Sequence, residues 1–63
     1  MNAEKYLGKD VRVTLKNGEI YVGKLVHDVW SDGSYLIQSK REDNWKVRRI
    51  VSDSEIQSIE VVE

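Results

Sequence analysis

The stretch Val11-Arg12-Val13-Thr14-Leu15-Lys16-Asn17-Gly18-Glu19-Ile20-Tyr21-Val22-Gly23-Lys24-Leu25 decides how this chain folds. Val11, Val13 and Leu15 alternate with Arg12, Thr14 and Lys16, a period of two that predicts a strand with one buried face. Asn17-Gly18 follows at once. That dipeptide tolerates positive φ and is the strongest short-range hairpin signal. The next strand is expected from Glu19 to about Val29. Its apolar phase switches: Ile20 and Val22 fall on one face, Leu25 and Val29 on the other, with Gly23 between them. A glycine inside a strand marks a bulge or a sharp bend. One long strand is therefore expected to serve both halves of a small, highly curved sheet.

Working outward, Ser31-Asp32-Gly33-Ser34 reads as the second turn and Tyr35 to Lys40 as the third strand. Arg41 to Asn44 is a polar turn, and Trp45 to Val51 the fourth strand. Ser52-Asp53-Ser54 is a tight connection with room for one 3₁₀ turn, and Ile56 to Val62 is the fifth strand. Asn2 to Leu7 is the one candidate helix, too short to be independent. Short strands with turns at close, regular spacing predict an all-β fold. The expectation is a five-stranded, strongly bent antiparallel small barrel, one domain over residues 1–63, with at most one short N-terminal helical turn. The expected core is Val11, Val13, Leu15, Ile20, Val22, Leu25, Leu36, Val47, Ile50, Ile56 and Ile59.

A chain of 63 residues buries only about 60% of its unfolded surface and folds with little margin. Disulfides, a metal or self-association usually support such a chain. There is no cysteine, and His27 is the lone histidine, so neither a disulfide nor a zinc site is expected. Self-association is the support that remains. Ten Lys and Arg oppose eleven Asp and Glu, for a net charge of −1. Residues 40–50 hold a surplus of three positive charges, whereas residues 51–63 hold four acids and no base. The chain is thus not a generally basic nucleic-acid binder; phosphate affinity would have to sit in one segment. No apolar run has the length of a membrane span or a signal peptide. A cytoplasmic location and no membrane partner are expected.

Chemistry is sparse. His27 and Asp28 are neighbours in a strand and point to opposite faces, which separates a base from its orienting acid. There is no thiol nucleophile and no Gly-x-Ser-x-Gly elbow. Asp28-x-x-x-Asp32-Gly33 has the start of a calcium loop, but Trp30 and Ser39 hold positions that need ligands. No catalytic residue, metal or cofactor is expected, and the chain is read as a non-enzyme.

Trp30 and Trp45 say more. Core packing is the plain reading of each. Yet each lies at a strand–turn boundary beside polar or basic residues. Rings interleaved with cations suit single-stranded nucleic acid, which needs a stacking platform and phosphate partners. The densest such run is Trp45-Lys46-Val47-Arg48-Arg49. The candidate nucleic-acid contacts are therefore Trp45, Lys46, Arg48 and Arg49, with His27, Trp30 and Tyr35 as loop contributors.

From Leu7 to Ile37 the chain resembles the first motif of the Sm and Sm-like family, small RNA-associated barrels. The matching residues are Gly8, Val11-x-Val13-x-Leu15-x-Asn17-Gly18, Gly23-x-Leu25 and the acid Asp28. Ile56-x-x-Ile59 resembles the end of the second motif. The chain departs from the family in its loops. Ser34 stands roughly where the RNA-facing asparagine would be, and Ser52-Asp53 replaces the family's Arg-Gly. The resemblance implies the barrel and an association with RNA, but not the family's uridine site.

Two functions follow as expectations: an RNA-associated or single-stranded nucleic-acid-associated oligomer, or a regulatory module that docks a protein partner. The resemblance also implies assembly, with the last strand of one subunit against the fourth strand of its neighbour. In the last segment Ile56 and Val62 are expected on one face and Ile59 and Val61 on the other; Val47 and Ile50 likewise flank the fourth strand. These six residues are the candidate oligomer interface. A head-to-tail contact closes a ring of about five to seven copies, with a dimer as the alternative.

Overall fold

Five antiparallel strands form one sheet in the order β4-β3-β2-β1-β5. They are β1 (Asp10–Leu15), β2 (Ile20–His27), β3 (Ser34–Arg41), β4 (Asn44–Ser52) and β5 (Ile56–Val61). The computed structural model describes residues 2–30, 33–41 and 44–62, without the side chains of 40, 41, 44–46 and 48. The expected second turn lies partly outside the described residues, and so does the middle of the expected Arg41–Asn44 turn. Beyond the strands, the described residues hold two single 3₁₀ turns, Glu4–Tyr6 and Asp53–Glu55. Among the described residues no helix is long and apolar enough to cross a membrane.

The bend expected at Gly23 is in the pairing. Residues 20–24 of β2 pair with β1, and residues 24–27 pair with β3, so Lys24 is shared between the two ladders. Gly23 sits opposite Val11. A Cβ built on it would overlap the Gln38 carbonyl and stand 3.2 Å from Ile37 Cγ2. The close approach of two backbones excludes any side chain there.

The first hairpin is one residue longer than a two-residue turn. Leu15 N–H bonds to Glu19 O at 2.8 Å, and Gly18 N–H bonds to Leu15 O at 3.0 Å. The loop is therefore Lys16-Asn17-Gly18, with Gly18 at φ +94°. This is a three-residue loop ended by a left-handed glycine. Asn17 Oδ1 accepts Glu19 N–H at 2.9 Å and holds the turn from its side chain.

The core comprises Ala3, Val11, Val13, Leu15, Leu25, Tyr35, Ile37, Val51, Ile56 and Ile59. Cross-strand pairs build it: Val13 against Ile59, Leu15 against Ile56, Leu25 against Ile37, and Tyr35 against Val51. Each such aliphatic side chain contributes roughly 1.5–3 kcal/mol on burial. Six expected core residues are buried, and Leu36 is half-buried. Ile20, Val22, Val47 and Ile50 are between 45% and 58% exposed, which corrects their placement in the core. On β2 the inner face is Tyr21-Gly23-Leu25, so Ile20 and Val22 point outward beside Thr14 and Arg12.

Two register shifts explain the remaining differences. On β4, Ile37 pairs with Arg49 but Gln38 pairs with Val47, so Arg48 is an extra residue. On β5, Thr14 pairs with Ser58 but Leu15 pairs with Ile56, so Gln57 is extra. An extra residue reverses the alternation of faces beyond it. Ile56 and Ile59 consequently share the inner face and are both buried, rather than lying on opposite faces. Val47 and Ile50, expected on opposite sides, share the outer face and are both exposed. At the candidate oligomer edge, Ile56 and Ile59 are core, while Val61 and Val62 remain 46% and 37% exposed.

Candidate nucleic-acid interface

Three loops meet along one rim of the sheet. Asp28 N–H donates to Ser34 O at 3.2 Å and closes the β2–β3 turn. Asp28 is only 9% exposed, and its Oδ1 accepts Trp30 N–H at 3.0 Å. A short side chain that folds back on the backbone in this way is an Asx turn. It presents Val29 and Trp30 outward, 83% and 93% exposed. Asp53 N–H donates to Gly33 O at 3.2 Å, joining the β4–β5 connection to this turn. Lys16 N–H donates to Glu55 O at 2.9 Å, joining the same connection to the β1–β2 turn.

Asp53 ties the rim to the core. Its Oδ1 accepts Ala3 N–H at 3.1 Å, and its Oδ2 accepts the Tyr35 hydroxyl at 3.4 Å. Tyr35 is buried. Burial first, and then the Asp53 carboxylate, push its hydroxyl above the ordinary tyrosine value. Its ring is not open to a base; His27 meets it edge-on, with ring centroids 5.8 Å apart.

Glu55 is oriented by Ser52, whose N–H and hydroxyl donate to Oε1 at 3.1 and 3.2 Å. Ser52-x-x-Glu55 has the capping-box spacing, a sequence signal for this turn that strand periodicity alone overlooks. Arg49 Nη2 approaches Glu55 Oε2 at 3.4 Å, and the guanidinium lies 5.9 Å from the centre of the Tyr21 ring. Tyr21 in turn donates to Glu19 Oε2 at 2.7 Å, and Asn17 Nδ2 donates to Oε1 at 2.6 Å. The Tyr21 and Asn17 bonds hold the Glu19 carboxyl below its usual value, and the same contact raises Tyr21. Between the β1–β2 turn and the Asp53–Glu55 turn lies an open groove of about 280 Å³, lined by Leu15, Lys16, Asn17, Ser54 and Glu55.

The rim gathers His27, Trp30, Tyr35 and Arg49, but not the other candidates. Trp45 and Lys46 pair with Lys40 and Ser39, whereas the rim residue Ser52 pairs with Ser34. Seven residues of strand separate Trp45 from Ser52, roughly 20 Å. The side chains of Trp45, Lys46 and Arg48 lie outside the described residues. Among the described residues no group of His, Cys, Asp and Glu could hold a metal ion. No protein-family model, no curated protein and no solved structure matches the chain.

Proposed function

We propose that this chain is a non-enzymatic, RNA-associated small barrel of the Sm-like kind that works as a homo-oligomer. The observation that carries the nucleic-acid reading is Trp30, a nearly fully exposed ring held on a pinned turn. Base–aromatic stacking contributes about 1–3 kcal/mol per base and tolerates any sequence. The cations of residues 40–50 other than the engaged Arg49, namely Lys40, Arg41, Lys46 and Arg48, are the phosphate partners in this reading. Assembly is supported by the strand order, which leaves β4 and β5 as outermost strands. The positive segment covers most of β4, and the acid Glu60 lies near the end of β5. Opposite charges favour pairing these edges between copies.

Titration with oligo-U, oligo-A and single-stranded DNA at low salt, read by tryptophan fluorescence, tests the binding. Quenching that fades as salt rises supports it; unchanged fluorescence with all three overturns it. A second reading, a protein-docking module, is favoured by the acids Asp28 and Asp32 and the absence of any base in residues 28–34. Val29 beside Trp30 then forms an apolar anchor for a pocket on a partner protein.

A further inference from the structure

We infer that Asn17 is a site of spontaneous deamidation whose rate Glu19 controls, and that the modified turn cannot return to its folded clamp. Asn17 is followed by glycine, whereas Asn2 precedes Ala3 and Asn44 precedes Trp45. A glycine has no side chain to shield its backbone nitrogen, and the space around Gly18 is open. Asn17, Gly18 and Glu19 are all exposed, so water reaches the turn. In the reaction the Gly18 nitrogen attacks Asn17 Cγ and forms a new C–N bond. The bond from Cγ to Nδ2 breaks, and that nitrogen leaves as ammonia, taking up the proton that Gly18 gives. Water then opens the five-membered imide at either carbonyl, leaving an aspartate or an isoaspartate.

The folded turn opposes each part of that step. Gly18 N–H is committed to Leu15 O at 3.0 Å, so its nitrogen cannot swing toward Cγ without breaking a turn bond. Asn17 Oδ1 accepts Glu19 N–H at 2.9 Å, and Nδ2 donates to Glu19 Oε1 at 2.6 Å. Both ends of the carboxamide are thus held by one residue. Glu19 is itself held, because the Tyr21 hydroxyl donates to Oε2 at 2.7 Å and the Tyr21 ring lies against the Arg49 guanidinium. Reaction therefore awaits local opening of the hairpin. The product cannot restore the clamp. An aspartate at this position is ionised at neutral pH and has no N–H to donate to Glu19. Its carboxylate would face the Glu19 carboxylate across the former 2.6 Å hydrogen bond, and like charges that close repel. An isoaspartate also adds a carbon to the backbone and shifts the turn. Deamidation turns a reversible opening into a lasting one.

The test is peptide mapping by mass spectrometry of the full chain aged at neutral pH, folded in buffer and unfolded in urea. Asn17 should deamidate about tenfold more slowly in the folded chain than in urea, because reaction needs the open turn. Glu19→Ala, checked for folding by circular dichroism, should raise the folded rate about threefold and leave the rate in urea unchanged. Tyr21→Phe removes only the hydroxyl that fixes Glu19 and should raise the folded rate by a smaller factor. Asn17→Asp should lower the urea midpoint of the chain. Equal rates in buffer and urea overturn the gating by the fold. A folded rate unaltered by Glu19→Ala overturns the control by Glu19; where that variant does not fold, Tyr21→Phe decides in its place. A wild-type midpoint for Asn17→Asp overturns the lasting opening.

Discussion

The backbone of Gly23 lies directly against the carbonyl of Gln38, and a Cβ at position 23 would collide with that carbonyl. The obstacle is main chain in a neighbouring strand, so it cannot rotate away. Gly23→Ala should therefore lower unfolding free energy by about 2–3 kcal/mol, near the upper end of ordinary single substitutions. Gly18 offers the contrast. Space around it is open, but its φ is +94°, so Gly18→Ala should cost only about 1–2 kcal/mol of left-handed strain. Urea denaturation of both variants checks the ranking; a milder effect at Gly23 than at Gly18 would contradict the packing argument.

Trp30 and Asp28 should separate function from stability. Trp30→Ala removes an exposed ring and should leave stability within about 0.5 kcal/mol, while abolishing the fluorescence response to oligonucleotides. Asp28→Ala strips a buried acceptor from the turn and should cost about 1–3 kcal/mol. Thermal melts beside binding isotherms distinguish the two.

Arg49 is engaged with Tyr21 and Glu55. The contacts are partly exposed, and Arg49→Ala should cost about 0.5–1 kcal/mol. Its effect on the salt dependence of oligonucleotide binding should be small. A fall of about one in the salt slope would instead make it a phosphate contact.

Alkaline pH should destabilise the fold through Tyr35. Its folded pKa is raised above the ordinary 10.0 by burial and by Asp53. The neutral hydroxyl is thus favoured in the folded state: the stabilisation is full below pH 10 and is lost as pH rises through the folded value. Tyr21, also raised, acts in the same direction. Denaturation midpoints measured from pH 8 upward should fall beyond pH 10, and Tyr35→Phe should flatten that fall.

Assembly through β5 should depend on Val61, 46% exposed on an outermost strand. Light scattering at micromolar concentration should find a particle heavier than the 7.3 kDa chain. Val61→Asp should reduce it to monomer mass while the strand signature in circular dichroism persists. A wild-type monomer would remove the edge-pairing proposal.

The strands were legible because β1 alternates cleanly and the glycine signals sit at its end and in the middle of β2. Strand ends differ by one or two residues: β2 stops at His27 because Asp28 turns the chain, not at Val29. Faces were harder to read. Periodicity assigns Ile20 and Val22 to the core because they are apolar, whereas the true inner row of β2 contains a glycine and a tyrosine whose small or polar character hides it. Tyr35 reads as a loop aromatic, yet it is core because Asp53, eighteen residues later, meets its hydroxyl. The rim was invisible for the same reason: its joints are backbone bonds between segments far apart in the chain, Lys16 with Glu55 and Asp53 with Gly33.

The extra residues at Arg48 and Gln57 also have a consequence for tracing kinship. A pattern of alternating positions carried across either one falls out of phase, so a related chain lacking the bulge would align correctly only with a one-residue gap there. Gaps are heavily penalised within strands, where insertions are rare. In a chain of 63 residues, the two frame changes fall in the last sixteen, so residues 1–47 stay in one ungapped block while the rest breaks into two short pieces. Comparisons keyed to the inner-face ladder of Val13 with Ile59 and Tyr35 with Val51 would hold their footing where linear alignment loses it.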